Sequence, residues 1–477
     1  MRVLLVSPNV ESLPDPVFPL GLAYIMSALK KNGIHCQALD LCFVEDYEAA
    51  IEHVLDSFQP HVVCLSLRNL DNVSYPNYTS YLPFYRQVVQ TIKRQNQAPV
   101  VLGGSGFTLV PESILEFTGA DFGIVGEGEF SLISFLNRFD SVKGFDQPLR
   151  PTVICEQTAI VEDLDGLPLP DRSGFDNEAY LKWGGMGNLQ TKRGCPFGCI
   201  YCTYPIVEGV AIRLRDPKSV CDEIGSMLES GINNIFIVDN VFNYPLEHAQ
   251  AICEEIIRRN LTFSWSCYLN PKFVTSRLLE LMLAAGCSSV EFGSDAGNQM
   301  MLHNLGKNFT VDDLSRASAI CNEVGMSFCH SLLLGGPGET METVQQTLDT
   351  ITDMSPTAII CMLAIRVFPK TKLSLIATEE GIIGPEENFL NPIFYLSPAI
   401  KDDIVPFIEH FSKQNPNGIF PGLNININPE LQKKLRRIGI KGPLWESMKL
   451  AERFRKIQRV LSKLQVNPKS TRREAKR

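Results

Sequence analysis

Asn188-Leu189-Gln190-Thr191-Lys192 runs directly into Arg193-Gly194-Cys195-Pro196-Phe197-Gly198-Cys199-Ile200-Tyr201-Cys202. The first five residues read as a strand, the rest as a loop whose Gly and Pro residues free it from regular structure. Three thiols at Cys195, Cys199 and Cys202 can therefore converge on one metal centre. A structural zinc site wants four ligands, and no further Cys or His adjoins the loop. A cuboidal iron–sulfur cluster usually takes four Cys; with three, one iron keeps an open position. A zinc knuckle with a distant fourth ligand, or plain core cysteines, are the alternatives that spacing leaves open.

Working outward, strands are readable at Asn188–Lys192, Asn234–Asp239, Phe263–Cys267, Ser288–Gly293, Ser327–Leu334 and Ala358–Val367, with helical periodicity between them. The expectation is an α/β fold containing a partial (β/α)6 barrel over 187–375, with chemistry at its C-terminal mouth. Residues 1–140 hold a second β-α series, with strands at Arg2–Ser7, Cys36–Leu41, His61–Ser66, Pro99–Gly103 and Phe122–Val125. Strands that are apolar throughout predict a doubly wound, Rossmann-like parallel sheet covered on both faces, with its ligand beyond the carboxyl ends. Residues 141–186 read as a linker, acid- and proline-rich from Asp163 to Arg172, and 376–477 as a mostly helical, substrate-shaping region with a basic tail.

The chain has 477 residues, a formal charge of −9 and 14 cysteines. The acidic balance argues against a nucleic-acid partner, which needs a basic surface. The apolar run after Met1 is too short for a signal peptide, and no run reaches the length of a membrane span. A cytoplasmic protein with reduced cysteines is expected.

The Cys-x3-Cys-x2-Cys loop, with Tyr201 before its last cysteine and a six-unit β-α series behind it, resembles the radical S-adenosylmethionine superfamily. The resemblance implies a 4Fe-4S cluster on Cys195, Cys199 and Cys202 whose open iron binds S-adenosylmethionine. It further implies S-adenosylmethionine contacts at Tyr201, at Asp239 closing the second strand, and at Asp295 closing the fourth, where relatives often carry Glu. Gly335, Gly336, Gly338 and Glu339, after the fifth strand, complete that set.

The first 140 residues resemble the cobalamin-binding domain that precedes the radical domain in a large subfamily. The matching positions are Gly103, Gly104, Ser105 and Gly106, then Gly126, Glu127 and Gly128, and the loop of Ser66, Arg68 and Asn69. There is no Asp-x-His-x-x-Gly motif to supply a His to cobalt. Arg68 stands in the loop expected to face the corrin, and a guanidinium has no free lone pair for a metal. This arrangement is similar to the tryptophan-methylating branch.

The implied activity is a cobalamin-dependent radical methyltransferase, carrying a methyl group from S-adenosylmethionine through methylcobalamin to an unactivated carbon of a small molecule or peptide. Oxidative cyclisation or ring rearrangement is the alternative. A flavodoxin- or ferredoxin-type electron donor is implied. For the substrate itself, Tyr268 and Arg366 lie near strand ends, and His330 on the fifth strand is a candidate to point into the barrel as a proton shuttle.

Overall fold

The computed structural model describes residues 1–12, 14–141, 152–154, 160–427 and 429–448. The basic tail lies outside them. The N-terminal sheet is built from β1 (Arg2–Ser7), β2 (His35–Asp40), β3 (Val62–Ser66), β4 (Val100–Gly103), β5 (Phe122–Ile124) and β6 (Thr152–Ile154). All six strands are parallel, in the order β2-β1-β3-β4-β5-β6. Alternate residues of one strand feed two cores: Leu4 and Val6 pack on one face, Val3 and Leu5 on the other. The strand order reverses between β1 and β3, so a crevice opens at their carboxyl ends, where Ser7 and Ser66 stand. β6 arises within the stretch read as a linker; its three residues carry too little pattern to announce a strand.

The second sheet begins at β7 (Gly187–Leu189). A short antiparallel hairpin of β8 (Lys192–Arg193) and β9 (Arg213–Leu214) brackets the cysteine loop. The series continues through β10 (Asn234–Ile237), β11 (Ser264–Leu269), β12 (Cys287–Asp295), β13 (Ser327–Leu334) and β14 (Ala358–Leu363). The stretch read as one strand over 358–367 breaks at Ala364, whose φ of +56° turns the chain. Beyond it β15 (Ile365–Arg366) pairs with β16 (Phe394–Tyr395). Helices such as Leu246–Arg258 and Val311–Val324 cover the outer face of the sheet, the latter opened by reciprocal hydrogen bonds between Thr310 and Asp313. The concave face is left to form the lumen.

The C-terminal region is not the separate helical appendage expected. It holds the helices Ile404–Gln414 and Pro429–Arg437, but β17 (Gly418–Ile419) joins β14 and extends the sheet to seven strands. Trp445 then enters the barrel beside Cys329 and Ala358, donating from Nε1 to Glu291 at 2.9 Å. Glu446 accepts from Ser288 at 3.2 Å and from Ser289. These contacts lie near the start of β12, so the segment closes the amino end of the barrel.

The two sheets are joined by buried charge. Arg193 pairs with Glu129 at 2.8 Å, Arg213 with Glu127 at 2.8 Å, and Arg366 with Asp71 at 2.8 Å. Arg366 is thus engaged with the N-terminal unit; its position near a strand end reflected an interdomain tie and not a substrate dock. Truncating it strands a buried carboxylate. Arg366→Ala is expected to cost about 3–5 kcal/mol, read as a lowered urea midpoint.

Candidate functional site

Gly194 takes φ +90°, and a Cβ there would lie 2.0 Å from the Ala211 carbonyl oxygen, so only glycine admits the hairpin at this point. Its N–H donates to Glu208 at 3.1 Å, and Cys195 N–H donates to the Gly209 carbonyl at 3.1 Å. Asp239 secures the strand before the loop: its carboxylate accepts from the N–H and hydroxyl of Thr191 (2.7 and 2.5 Å) and from Lys192 N–H at 3.3 Å. Both of its oxygens are spent on backbone and side chain of the loop's own strand, so the residue orders the loop from behind.

Cys195 is buried, Cys199 and Cys202 half-buried, and the three sulfurs lie within electrostatic reach of one another. Burial pushes the Cys202 thiol up to about 12. A metal centre reverses that, since a coordinating thiol is deprotonated outright. Among the described residues no three His, Cys, Asp or Glu side chains close on a single-ion site.

Asp295 ends β12 at φ +62°, a left-handed conformation that Asp tolerates better than longer side chains. Its Oδ2 accepts from the Tyr201 hydroxyl and from Lys307 Nζ, the latter at 2.7 Å. Lys307 carried no motif, and nothing in its local pattern distinguishes it from a surface lysine; the fold alone buries it here. Beyond β13, Gly335 (φ +106°) and Gly338 (φ +79°) form a tight turn. Glu339 folds back to accept from Gly335 N–H and from Gly336 N–H at 2.9 Å, while its Oε1 is buried without a partner. Burial raises its carboxyl to about 7.

His330 faces outward, not into the barrel. Its ring lies against Phe292 and Phe328, with Ser294 Oγ 2.7 Å from Nδ1 and Ser318 Oγ 3.1 Å from Nε2. Residues alternate sides along a strand, and Cys329 and Ser331 take the inward positions. Tyr268 is 40% exposed in the middle of a sheet whose outer face is covered, which puts it on the open lumen. It stands in register with Glu291, whose charge is the largest influence on its hydroxyl. Burial raises the Glu291 carboxyl to about 7. Sequence inspection missed Glu291, which sits singly in a strand otherwise typical of a core.

At the carboxyl edge of the N-terminal sheet lies a cavity of about 340 Å³. Ser66, Arg68, Gly103, Gly104, Ser105, Gly126, Glu127 and Gly128 all line it, as do Tyr204 and Glu208 from the barrel. Gly104, at φ +95°, passes so close that a Cβ would meet the Leu67 carbonyl oxygen at 2.7 Å. Two other candidates turn away. Gly106 packs on the backbone of Leu67 and Arg68, and the Asn69 carbonyl accepts from the Tyr85 hydroxyl at 2.8 Å. Glu127, though at the rim, is engaged by Arg213. Arg68 is exposed and lines the cavity, and its charge reaches Tyr204 and Tyr268.

Residues 6–134 match the B12 binding domain family, and residues 189–351 the Radical SAM superfamily. The chain is a cobalamin-dependent radical S-adenosylmethionine enzyme. The glycine-edged cavity and the three-thiol loop fit the two cofactors that this membership implies. The enzyme is 24% identical to the tryptophan 2-C-methyltransferase of Streptomyces laurentii, over 79% of this chain and 74% of that one. It is 27% identical to an uncharacterised methyltransferase of Pyrococcus horikoshii, over 73% and 77%. Its fold matches the radical S-adenosylmethionine methyltransferase TsrM from Kitasatospora setae, solved with tryptophan and an aza analogue of S-adenosylmethionine. That match has a TM-score of 0.83 at 24% identity, covering 97% of this chain and 99% of the other. No helix among the described residues is long and apolar enough to cross a membrane.

The environment of His330 has a consequence for acid stability. Burial lowers its pKa from 6.5 to about 3. Below 6.5 the unfolded chain takes up a proton that the folded chain refuses until about pH 3, so stability falls as pH falls through that window, by at most about 1.4 kcal/mol per pH unit. Denaturation of His330→Gln at several pH values is expected to show a shallower acid slope than the native chain.

Proposed function

We propose that the enzyme is a methyltransferase, moving a methyl group from S-adenosylmethionine by way of cobalamin to a ring carbon of a small molecule or peptide. The observation that carries this reading is the lining of the glycine-edged cavity, which Arg68 shares with Tyr204 and Glu208 from the segment that follows the cysteine loop. A group in that cavity and a group on that loop would be neighbours. When bound, the cofactors supply the methyl donor, its carrier and the electron chemistry.

The chain's own residues do the positioning. Cys195, Cys199 and Cys202 would hold the cluster, leaving one iron for the amino and carboxylate groups of S-adenosylmethionine. The turn at Gly335, Gly336 and Gly338, braced by Glu339, is shaped for close approach of its nucleoside. Gly103, Gly104, Ser105 and Gly126 would admit the nucleotide tail of cobalamin. Arg68 would face the corrin with a guanidinium that has no free lone pair to offer a metal. Phe236 and Tyr268, with ring centroids 5.1 Å apart, make an aromatic wall in the lumen. Glu291 adds a carboxyl group poised near neutrality, suited to exchanging a proton with a ring N–H. A ring substrate such as the tryptophan bound by the solved relative fits such a wall. A flavodoxin- or ferredoxin-type protein would supply electrons.

The test is anaerobic incubation of reconstituted enzyme with methyl-labelled S-adenosylmethionine, hydroxocobalamin, a reductant and tryptophan as the first probe. Label is expected in methylcobalamin and in a product heavier by one methyl group; 5′-deoxyadenosine reports whether a radical step is used. Products that gain no carbon, across a panel of ring substrates, would favour cyclisation and overturn this reading. Glu291→Gln is expected to retain both cofactors while turnover falls about 100-fold, within the usual range for losing an acid–base group.

A further inference from the structure

We propose that Lys307 sets the reduction potential of the cluster, its ammonium acting as a fixed positive charge beside the sulfur ligands. The inference rests on the reading that Cys195, Cys199 and Cys202 hold that cluster.

Three contacts fix the turn that carries Lys307, two of them to the cysteine loop, independently of its charge. Ile200 N–H donates to the Leu305 carbonyl at 3.1 Å, Lys307 N–H donates to the Leu302 carbonyl at 2.9 Å, and Gly306 passes so close to Gly198 that a Cβ would lie 2.6 Å from its carbonyl oxygen. The turn from Leu305 to Lys307 is therefore pressed against the middle of the cysteine loop. From there the Lys307 side chain, 7% exposed, reaches Asp295 Oδ2 at 2.7 Å. Tyr201, the residue before Cys202, donates to the same oxygen. The ammonium also acts electrostatically on Cys195, Cys199 and Cys202.

Reduction adds one electron to a cluster already made anionic by its thiolates. A nearby buried cation stabilises the reduced form and raises the potential; a nearby carboxylate does the reverse. Net charge and hydrogen bonds to sulfur are the established means by which proteins set such potentials. Lys307 and Asp295 form an opposed pair at one site, so their removal must shift the potential in opposite directions. A merely structural role for either residue has no reason to produce opposite signs.

The experiment is a redox titration of the reconstituted full-length protein, without S-adenosylmethionine or substrate, followed by electron paramagnetic resonance. In Lys307→Met the ratio of reduced to oxidised cluster at a fixed potential is expected to fall at least tenfold, which is about 59 mV for a one-electron couple. Asp295→Asn is expected to shift the ratio upward, and Lys307→Arg to stay within about threefold of native. An unmoved potential in a fully loaded Lys307→Met protein, or shifts of the same sign in the Met and Asn variants, overturns the proposal. Should Lys307→Met assemble no cluster, Asp295→Asn decides by its sign, because it keeps the ammonium in place. Iron and acid-labile sulfide in Cys199→Ala test the underlying reading separately: native content there sinks the cluster assignment, whatever the lysine does.

Discussion

The buried ion pairs between the two sheets are what the site depends on. Parallel strands deliver their loops to one edge, and a ligand of either sheet lies beyond that edge. Arg193 with Glu129, Arg213 with Glu127, and Arg366 with Asp71 hold the two edges facing each other. Desolvating such pairs is expensive, and packed apolar side chains would often be as stable. What charge adds is geometry: a guanidinium fork accepts a carboxylate in few orientations. That restriction keeps the cavity beside β4 next to the segment that follows the cysteine loop.

Within the barrel, charge is layered. Asp239 and Lys192 lie behind the cysteine loop, with Lys192 Nζ donating to the Phe242 carbonyl at 2.6 Å and standing 3.9 Å from the Asp239 carboxylate. Asp295 and Lys307 lie beside the loop, and Glu291 lies deeper in the lumen under Trp445. The acids and bases that touch the loop, Asp239, Asp295, Lys192 and Lys307, are each matched by an opposite charge or by several donors. Glu291 is different. Among the described residues its one hydrogen-bond partner is a neutral indole N–H, and burial raises its carboxyl to about 7. A group so placed is adapted to exchange a proton, where Asp239 is adapted to hold a strand.

The core strands were legible because a doubly covered parallel strand is apolar throughout, and the cysteine loop because three thiols on a Gly/Pro turn are chemically unusual. β6 and β17 were not legible: two or three residues cannot express a period, and neighbouring strands decide whether they pair. His330 was misplaced since adjacent residues of a strand face opposite ways, and an apolar run on both sides of a histidine does not reveal which face it takes. Asp239 was read as a cofactor contact from its place at a strand end. Its carboxylate turned back on Thr191, a choice made by the β8 backbone passing within reach.

By itself the sequence determined the order of the two β-α units, the three-thiol loop and the glycines at the turns that follow the strands. Those features are local: spacing, apolar period and the absence of a Cβ are properties of short stretches. Only the tertiary structure decided which charges oppose each other, because Lys307 and Asp295, Arg366 and Asp71, or Trp445 and Glu291 meet across separate elements. It also decided which residue enters the lumen, since that depends on strand register and on the C-terminal segment returning to close the barrel.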